Sequence, residues 1–170
     1  MRGYSFKRKR LFQQAKEEFD KIDEDFDLID LVNSFLGEIA LELGAFMEAE
    51  SRFSKVLKKD VQSLGIKSHI IESNLALAYL HQEKLDKAEY HLLNVVKELE
   101  MVSDTIGLIG AYGDLANVYY EQYKDDLAIP YFLKAYDLAC LNNNLVHKQN
   151  TTLNMSVVEE NRKDYVKALK

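Results

Sequence analysis

Four stretches of this chain align without gaps: "LGEIALELGAFMEAESRF" from Leu36, "LALAYLHQEKLDKAEYHL" from Leu75, "LANVYYEQYKDDLAIPYF" from Leu115 and "MSVVEENRKDYVKALK" from Met155. Their starts lie 39, 40 and 40 residues apart. Small residues recur in register at Gly37, Ala76, Ala116 and Ser156, and again at Ala49, Ala88, Ala128 and Ala168. Large apolar residues follow at Phe53, Leu92 and Phe132. A fixed period with matched small and large positions marks a repeat architecture, and it constrains the fold more than any other feature of the chain.

Inside one copy the spacing predicts a pair of antiparallel helices. In the third copy Ile109, Tyr112, Leu115, Ala116 and Tyr119 share one helix face, and after "EQYKDD" a second stripe runs through Leu127, Ala128, Tyr131, Phe132 and Ala135. Ala116 and Ala128 mark where the two helices come close, with Tyr119 and Phe132 filling the space beside them. Seven Gly and one Pro in 170 residues are too few for a many-stranded β protein, which needs a turn every few residues. The one Pro, Pro130, falls in the first or second turn of its helix if Asp125 or Asp126 is the cap, where it is tolerated. A single helical pair cannot cover its own apolar face, so neighbouring pairs must stack. The expected fold is all-α, an α-solenoid of antiparallel helix pairs.

The pattern resembles the tetratricopeptide repeat, from about residue 26 to the end of the chain. The third copy carries the resemblance: Leu115, Ala116, Tyr119, Ala128, Phe132 and Ala135 match the family's signature residue types. Ala40 and Glu159 depart from it, standing where Tyr is usual, and no copy has the helix-ending Pro. The period also exceeds the family's usual length of about 34 residues. Periods near 40 are similar to those of the peptide-pheromone receptors of Gram-positive bacteria (the Rap, NprR and PlcR group) and of sensor repeats preceding some bacterial histidine kinases. The resemblance implies a tetratricopeptide superhelix. On this reading residues 1–24 form an N-terminal amphipathic capping helix, with Phe6, Leu11, Phe12, Ala15, Phe19 and Ile22 on one face. Residues 25–62, 63–102 and 103–142 make three repeats, and 143–170 an incomplete fourth whose "KDYVKALK" opens a second helix. The chain is therefore expected to be part of a longer array, with an output domain beyond it.

A formal charge of −6 disfavours direct nucleic-acid binding, which rests on Lys and Arg. The basic start (Arg2, Lys7, Arg8, Lys9, Arg10) is short and gives way at once to acidic residues from Glu17 to Asp30, so it reads as a solvated helix face. Cys140 stands alone and can form no internal disulfide, which suggests a reducing, cytoplasmic setting; it is expected in the core with Tyr136 and Ala139. No apolar run is long enough for a membrane span.

Motifs of chemistry are missing. His69, His81, His91 and His147 have no ligand-like spacing and no Cys partners, so no metal is expected. "GLIGAYG" lacks the strand before it and the Lys-Ser/Thr after it that a phosphate loop requires, so Gly107, Gly110 and Gly113 read as places of close helix approach or a thin groove floor. No cofactor and no catalytic residue is called, and an enzyme is not expected.

What the resemblance adds is a groove. In tetratricopeptide arrays the first helix of each pair lines the concave surface, and peptides lie along it. Carried onto this chain, that surface holds Ser34, Glu38, Leu41 and Glu42 in the first copy, and Ser73, Leu77, Leu80 and His81 in the second. The third copy gives Gly113, Asn117, Tyr120 and Glu121, and the fourth Leu153, Val157, Glu160 and Asn161. Asn117 is the sharpest candidate, because an amide offers a donor and an acceptor together, matching a peptide bond. Acidic residues stand where arrays that grip acidic chaperone tails carry Lys, so the expected ligand is a neutral or basic peptide or protein segment with apolar side chains. The leading expectation is a non-catalytic peptide-binding module with a regulatory role. Two alternatives are a Rap-like response-regulator phosphatase, for which only Gln13 and Gln14 could serve, and a structural array that forms homo-oligomers through its repeat ends.

Overall fold

The computed structural model describes residues 2–23, 27–58 and 67–168, without the side chains of 2–7, 157, 159 and 161–168. The described residues form eight α-helices: α1 (Arg2–Phe19), α2 (Ile29–Leu43), α3 (Phe46–Leu57), α4 (Ser68–Leu80), α5 (Leu85–Met101), α6 (Thr105–Glu121), α7 (Asp125–Leu141) and α8 (Leu145–Ala168). None of them is a strand. The fold is all-α, an α-solenoid of consecutively packed helices. The chain divides into two compact units, Met1–Lys84 with α1–α4 and Leu85–Lys170 with α5–α8. No helix among the described residues is long and apolar enough to cross a membrane.

One turn geometry ends most of these helices. Gly44, Glu83, Ser103, Tyr123 and Asn143 all have positive φ, between 53° and 79°. At each, the next residue's N–H reaches back five residues and the turn residue's own N–H reaches back three. After α6, for instance, Lys124 N–H donates to Tyr119 C=O at 2.8 Å and Tyr123 N–H to Tyr120 C=O at 2.9 Å. The same pair of bonds joins Ala45 to Ala40 and Gly44 to Leu41 after α2. This is the Schellman closure, which satisfies helix carbonyls that have no donor further along the helix. From Glu83 onward the left-handed residues fall every 20 positions, at 83, 103, 123 and 143. The 40-residue period is therefore two helix-and-turn units of equal length. A further step of 20 would reach Lys163, but α8 runs through to Ala168 without a break. The second helix expected to open near "KDYVKALK" is instead the continuation of α8.

The matched positions of the repeat are the buried ones. In the first unit Leu36 and Ala40 of α2 pack with Ala49, Phe53 and Val56 of α3 and with Ile71, Leu75 and Ala76 of α4, all at 2% exposure or less. Gly37 makes room for Phe53: a Cβ there would lie 2.6 Å from Phe53 Cε1. In the second unit Leu115 and Ala116 of α6 meet Ala128, Phe132 and Ala135 of α7 in the same way, again at 1% or less. Burying one such Phe is worth roughly 1.5–3 kcal/mol. Beside that core Tyr112 O–H donates to Glu100 at 2.7 Å, and its phenol is pushed up to about 12 by desolvation and then by that carboxylate. α1 is held to the first unit by charge and ring contacts: Lys16 lies 3.1 Å from Glu48, Arg52 2.8 Å from Asp20, and Phe19 stacks on Phe35 at 6.1 Å.

Three local expectations change. Pro130 is in the second turn of α7 as the spacing suggests, but the cap is Lys124, with no side-chain cap bond, and Asp125 and Asp126 sit in the first turn instead. There their charges still face the helix's positive end. Cys140 is half-buried and not in the core, because Ala139 takes the inward position beside it. The three glycines of α6 separate. Gly107 is a close approach, its absent Cβ leaving 3.0 Å to Leu99 Cδ2, whereas Gly110 and Gly113 face open space.

Candidate functional site

A helix covered on several sides keeps only a narrow free stripe, and on α2 the covering is extensive. Asp30, Val32, Asn33, Ser34, Leu36, Gly37, Ile39 and Ala40 are all buried. What stays free is Phe35, Glu38 and Glu42, spaced i, i+3 and i+7. With α1 alongside and α4 beyond, this stripe forms one wall of a cleft of about 730 Å³. Phe12 and Phe19 come from α1; Phe35, Glu38, Ile39, Leu41 and Glu42 from α2; Asn74 and Leu77 from α4. Phe35 is 43% exposed and Leu77 38%, large apolar surfaces turned to solvent.

The two carboxylates of this wall differ. Arg8 Nη2 lies 3.0 Å from Glu42 Oε1, and the same guanidinium sits over the Phe12 ring, 5.4 Å from its centroid. Glu38, one turn earlier, has no hydrogen bond or ion pair among the described residues, and desolvation raises its carboxyl above the ordinary range. Among the described side chains α1 offers Glu38 no cation: the positions following Arg8 toward it, Phe12 and Ala15, are apolar.

Of the residues the sequence places on the groove in this unit, Glu38 and Leu77 line the cleft, with Leu41 and Glu42. Ser34 does not: it is buried, at 6% exposure. It lies about 100° round the helix from Phe35, enough to carry it from the free stripe into the packed side. Ser73 is half-buried and does not line the cleft. His81 lies just past α4, its ring stacked on Phe46 at 4.3 Å, away from the cleft. A second hollow of about 510 Å³ beside α2 and α3 includes Arg52, but that guanidinium is already bound to Asn33 at 3.0 Å and Asp20 at 2.8 Å.

In the second unit the matched positions of α6, Asp114, Asn117 and Glu121, are polar. Asn154 Nδ2 of α8 donates to Asn117 Oδ1 of α6 at 3.1 Å, so these helices meet through their amides. Gly113 leaves open space, Tyr120 is half-buried and Glu121 is exposed at the end of α6. The side chains of Val157 and Asn161 lie outside the described residues. Asp114 is open to solvent, yet the protein around it withholds part of its hydration and pushes its carboxyl up to about 6.

Sequence reasoning missed Phe35, Asn74, Asp114 and Asn154. They are one register position, repeating at 39, 40 and 40 residues like the packing signature. The stripe sits one residue C-terminal to the Ser34, Ser73 and Gly113 line expected. The period itself could have pointed to them, but their types differ in every copy except for two amides. Gln13 and Gln14 are both exposed on α1.

No family model matches the chain. Among solved structures, the crystal structure of BtubC (BKLC) from P. vanneervenii is similar, with a TM-score of 0.70 and 19% sequence identity over 98% of this chain and 70% of that one. At that identity the likeness speaks for the helical-repeat fold.

Proposed function

We propose that this chain is a non-catalytic binding module of the tetratricopeptide kind, taking a peptide or protein segment on the free stripe of a unit: that of α2 and α4 in the first, that of α6 and α8 in the second. The observation that carries this reading is the α1–α2–α4 cleft: its volume, its exposed Phe35 and Leu77, and a Glu38 without a partner among the described residues are the features of a recognition surface. Phe35 and Leu77 are not scattered singly but line one cleft together, which is how apolar residues of a recognition surface are arranged. The module works in the cytoplasm as a sensor or regulatory element. Its ligand is neutral or basic with apolar side chains, by complementarity to Glu38 in the first unit and to Asp114 in the second.

Titration of the chain with a library of apolar-basic peptides tests the reading. Binders are expected to lose roughly tenfold or more on Leu77→Glu, which puts charge on the apolar wall. They should lose roughly twofold to tenfold on Asn117→Ala, the worth of one hydrogen bond. A library without binders, or binders indifferent to both changes, rejects it.

A further inference from the structure

The cleft already holds one cation of the chain's own, and that contact indicates what the vacant position beside it accepts. Arg8 lies with its guanidinium over Phe12 and its Nη2 3.0 Å from Glu42. One helical turn earlier on α2 the same two elements recur without the third. Glu38 is a carboxylate with no partner among the described residues, and the stacked Phe19–Phe35 pair lies beside it, ring centroids 6.1 Å apart. Both belong to the lining of the same cleft. We propose that this cleft binds a peptide through an arginine, the guanidinium lying on Phe35 and paired with Glu38, with a neighbouring apolar side chain against Leu77 and Ile39.

Arginine fits better than lysine for a physical reason. The guanidinium is planar and weakly hydrated, so it can stack on a ring and still bond a carboxylate at its edge. An ammonium is a compact, strongly hydrated charge and surrenders more on entering a partly desolvated cleft. Charge complementarity points the same way, since among the described residues Arg8 is spent on Glu42 and leaves Glu38 without a cation. Asp114 is the other carboxylate of this kind, but its helix neighbours Gly110 and Gly113 offer open space and no ring on which a guanidinium could stack.

The inference rests on the peptide-binding reading, and one experiment separates the two. Capped hexapeptides carry arginine, lysine or citrulline at the third position, with the flanking positions drawn from Leu, Ile, Phe, Ala and Gly. Their affinities for the whole chain are measured by fluorescence anisotropy. Arginine peptides should bind about tenfold tighter than their citrulline twins, the increment of a charge-assisted hydrogen bond. They should also exceed the lysine peptides. Glu38→Gln should abolish the arginine preference, and Phe35→Leu should narrow the gap between arginine and lysine. Both residues are on the solvent side of α2, and circular dichroism of each variant checks that the helices are intact. Equal binding of arginine and citrulline, with binding still lost on Leu77→Glu, overturns the arginine assignment and leaves the peptide site standing. A preference that survives Glu38→Gln but disappears in Asp114→Asn moves the cation to α6 and likewise overturns it. Absence of binding by every peptide overturns the peptide-binding reading and the arginine assignment together.

Discussion

The two units bury the same residues and expose different ones. Phe53, packed against Gly37, and Phe132 are both fully buried at the matched position of the two units. On the free stripe, equivalence stops. Where the first unit has Phe35, Glu38, Asn74 and Leu77 around a hollow, the second has Asp114, Asn117 and Asn154, with α6 and α8 joined directly through an amide pair. The packing positions repeat because two helices can approach only where one side chain is small and its neighbour large. Nothing in that packing restrains the stripe, which is free to carry whatever its ligand needs. The repeated residues thus hold the fold and the unrepeated ones are where function can differ.

The largest effect tests the repeated half of that comparison. Phe53→Ala and Phe132→Ala each leave a void in a close-packed crossing, and each should cost about 3–5 kcal/mol. Urea denaturation of the two variants checks this. Comparable losses mean that the two crossings do the same work. A loss below about 1.5 kcal/mol at one site would show that its surroundings collapse to fill the space, and that the matched sequences do not pack alike.

The matched turns after α2 and α6 differ in a second, smaller way. Gly44 takes its left-handed conformation without cost, whereas Tyr123, with φ 59° and 91% exposure, takes the same conformation with a side chain that gains little from burial. A non-Gly residue there is penalised by roughly 1 kcal/mol. Tyr123→Gly should therefore stabilise the chain by up to about that amount, less what the added freedom of glycine costs the helix end. Gly44→Ala should destabilise it by a similar amount. Thermal melts of the pair decide the matter: if Tyr123→Gly lowers the melting temperature, the tyrosine is held by contacts that outweigh its backbone strain.

These turns also show why part of the fold was legible in the sequence and part was not. Helix pairs follow from the small and large residues at fixed spacing, and from Ala116 to Phe132 that logic survives intact. The turn residues do not announce themselves, because Glu, Ser, Tyr and Asn occupy positions where glycine would have been the signal. The end of α8 was misread as well: its resemblance to the other copies suggested a turn near residue 163, yet α8 continues there, and no residue type sets that stretch apart from the turns at Glu83, Ser103, Tyr123 and Asn143, which also lack Gly and Pro. The stripe was placed one residue too early. Rotation by a single position is about 100°, and the burial of Ser34 depends on how far α1 and α3 wrap α2, which no local pattern records. Glu38 and Leu77 were found because they lie at the centre of the stripe, where a small rotation does not remove them.

Asp114 gives the smallest effect and the one that best separates the two stripes. Its carboxyl is pushed up to about 6 in the folded chain, against about 3.9 when unfolded. The native state therefore holds the proton more tightly than the unfolded state does. The stability this contributes is fully present below about pH 4 and is lost as pH rises through about 6. Above that, the ionised carboxylate sits where hydration is incomplete and weighs against the fold. Asp114→Asn should remove the slope across this window and raise stability at pH 8. The change should be less than about 1 kcal/mol, because water at the open side screens the charge. Urea midpoints of the two proteins at pH 4, 6 and 8 measure it. Parallel profiles would mean that Asp114 titrates as an ordinary surface acid. The α6 stripe would then be as fully hydrated as a free helix face, and only the walled stripe of α2 would retain the partial desolvation that favours a bound ligand.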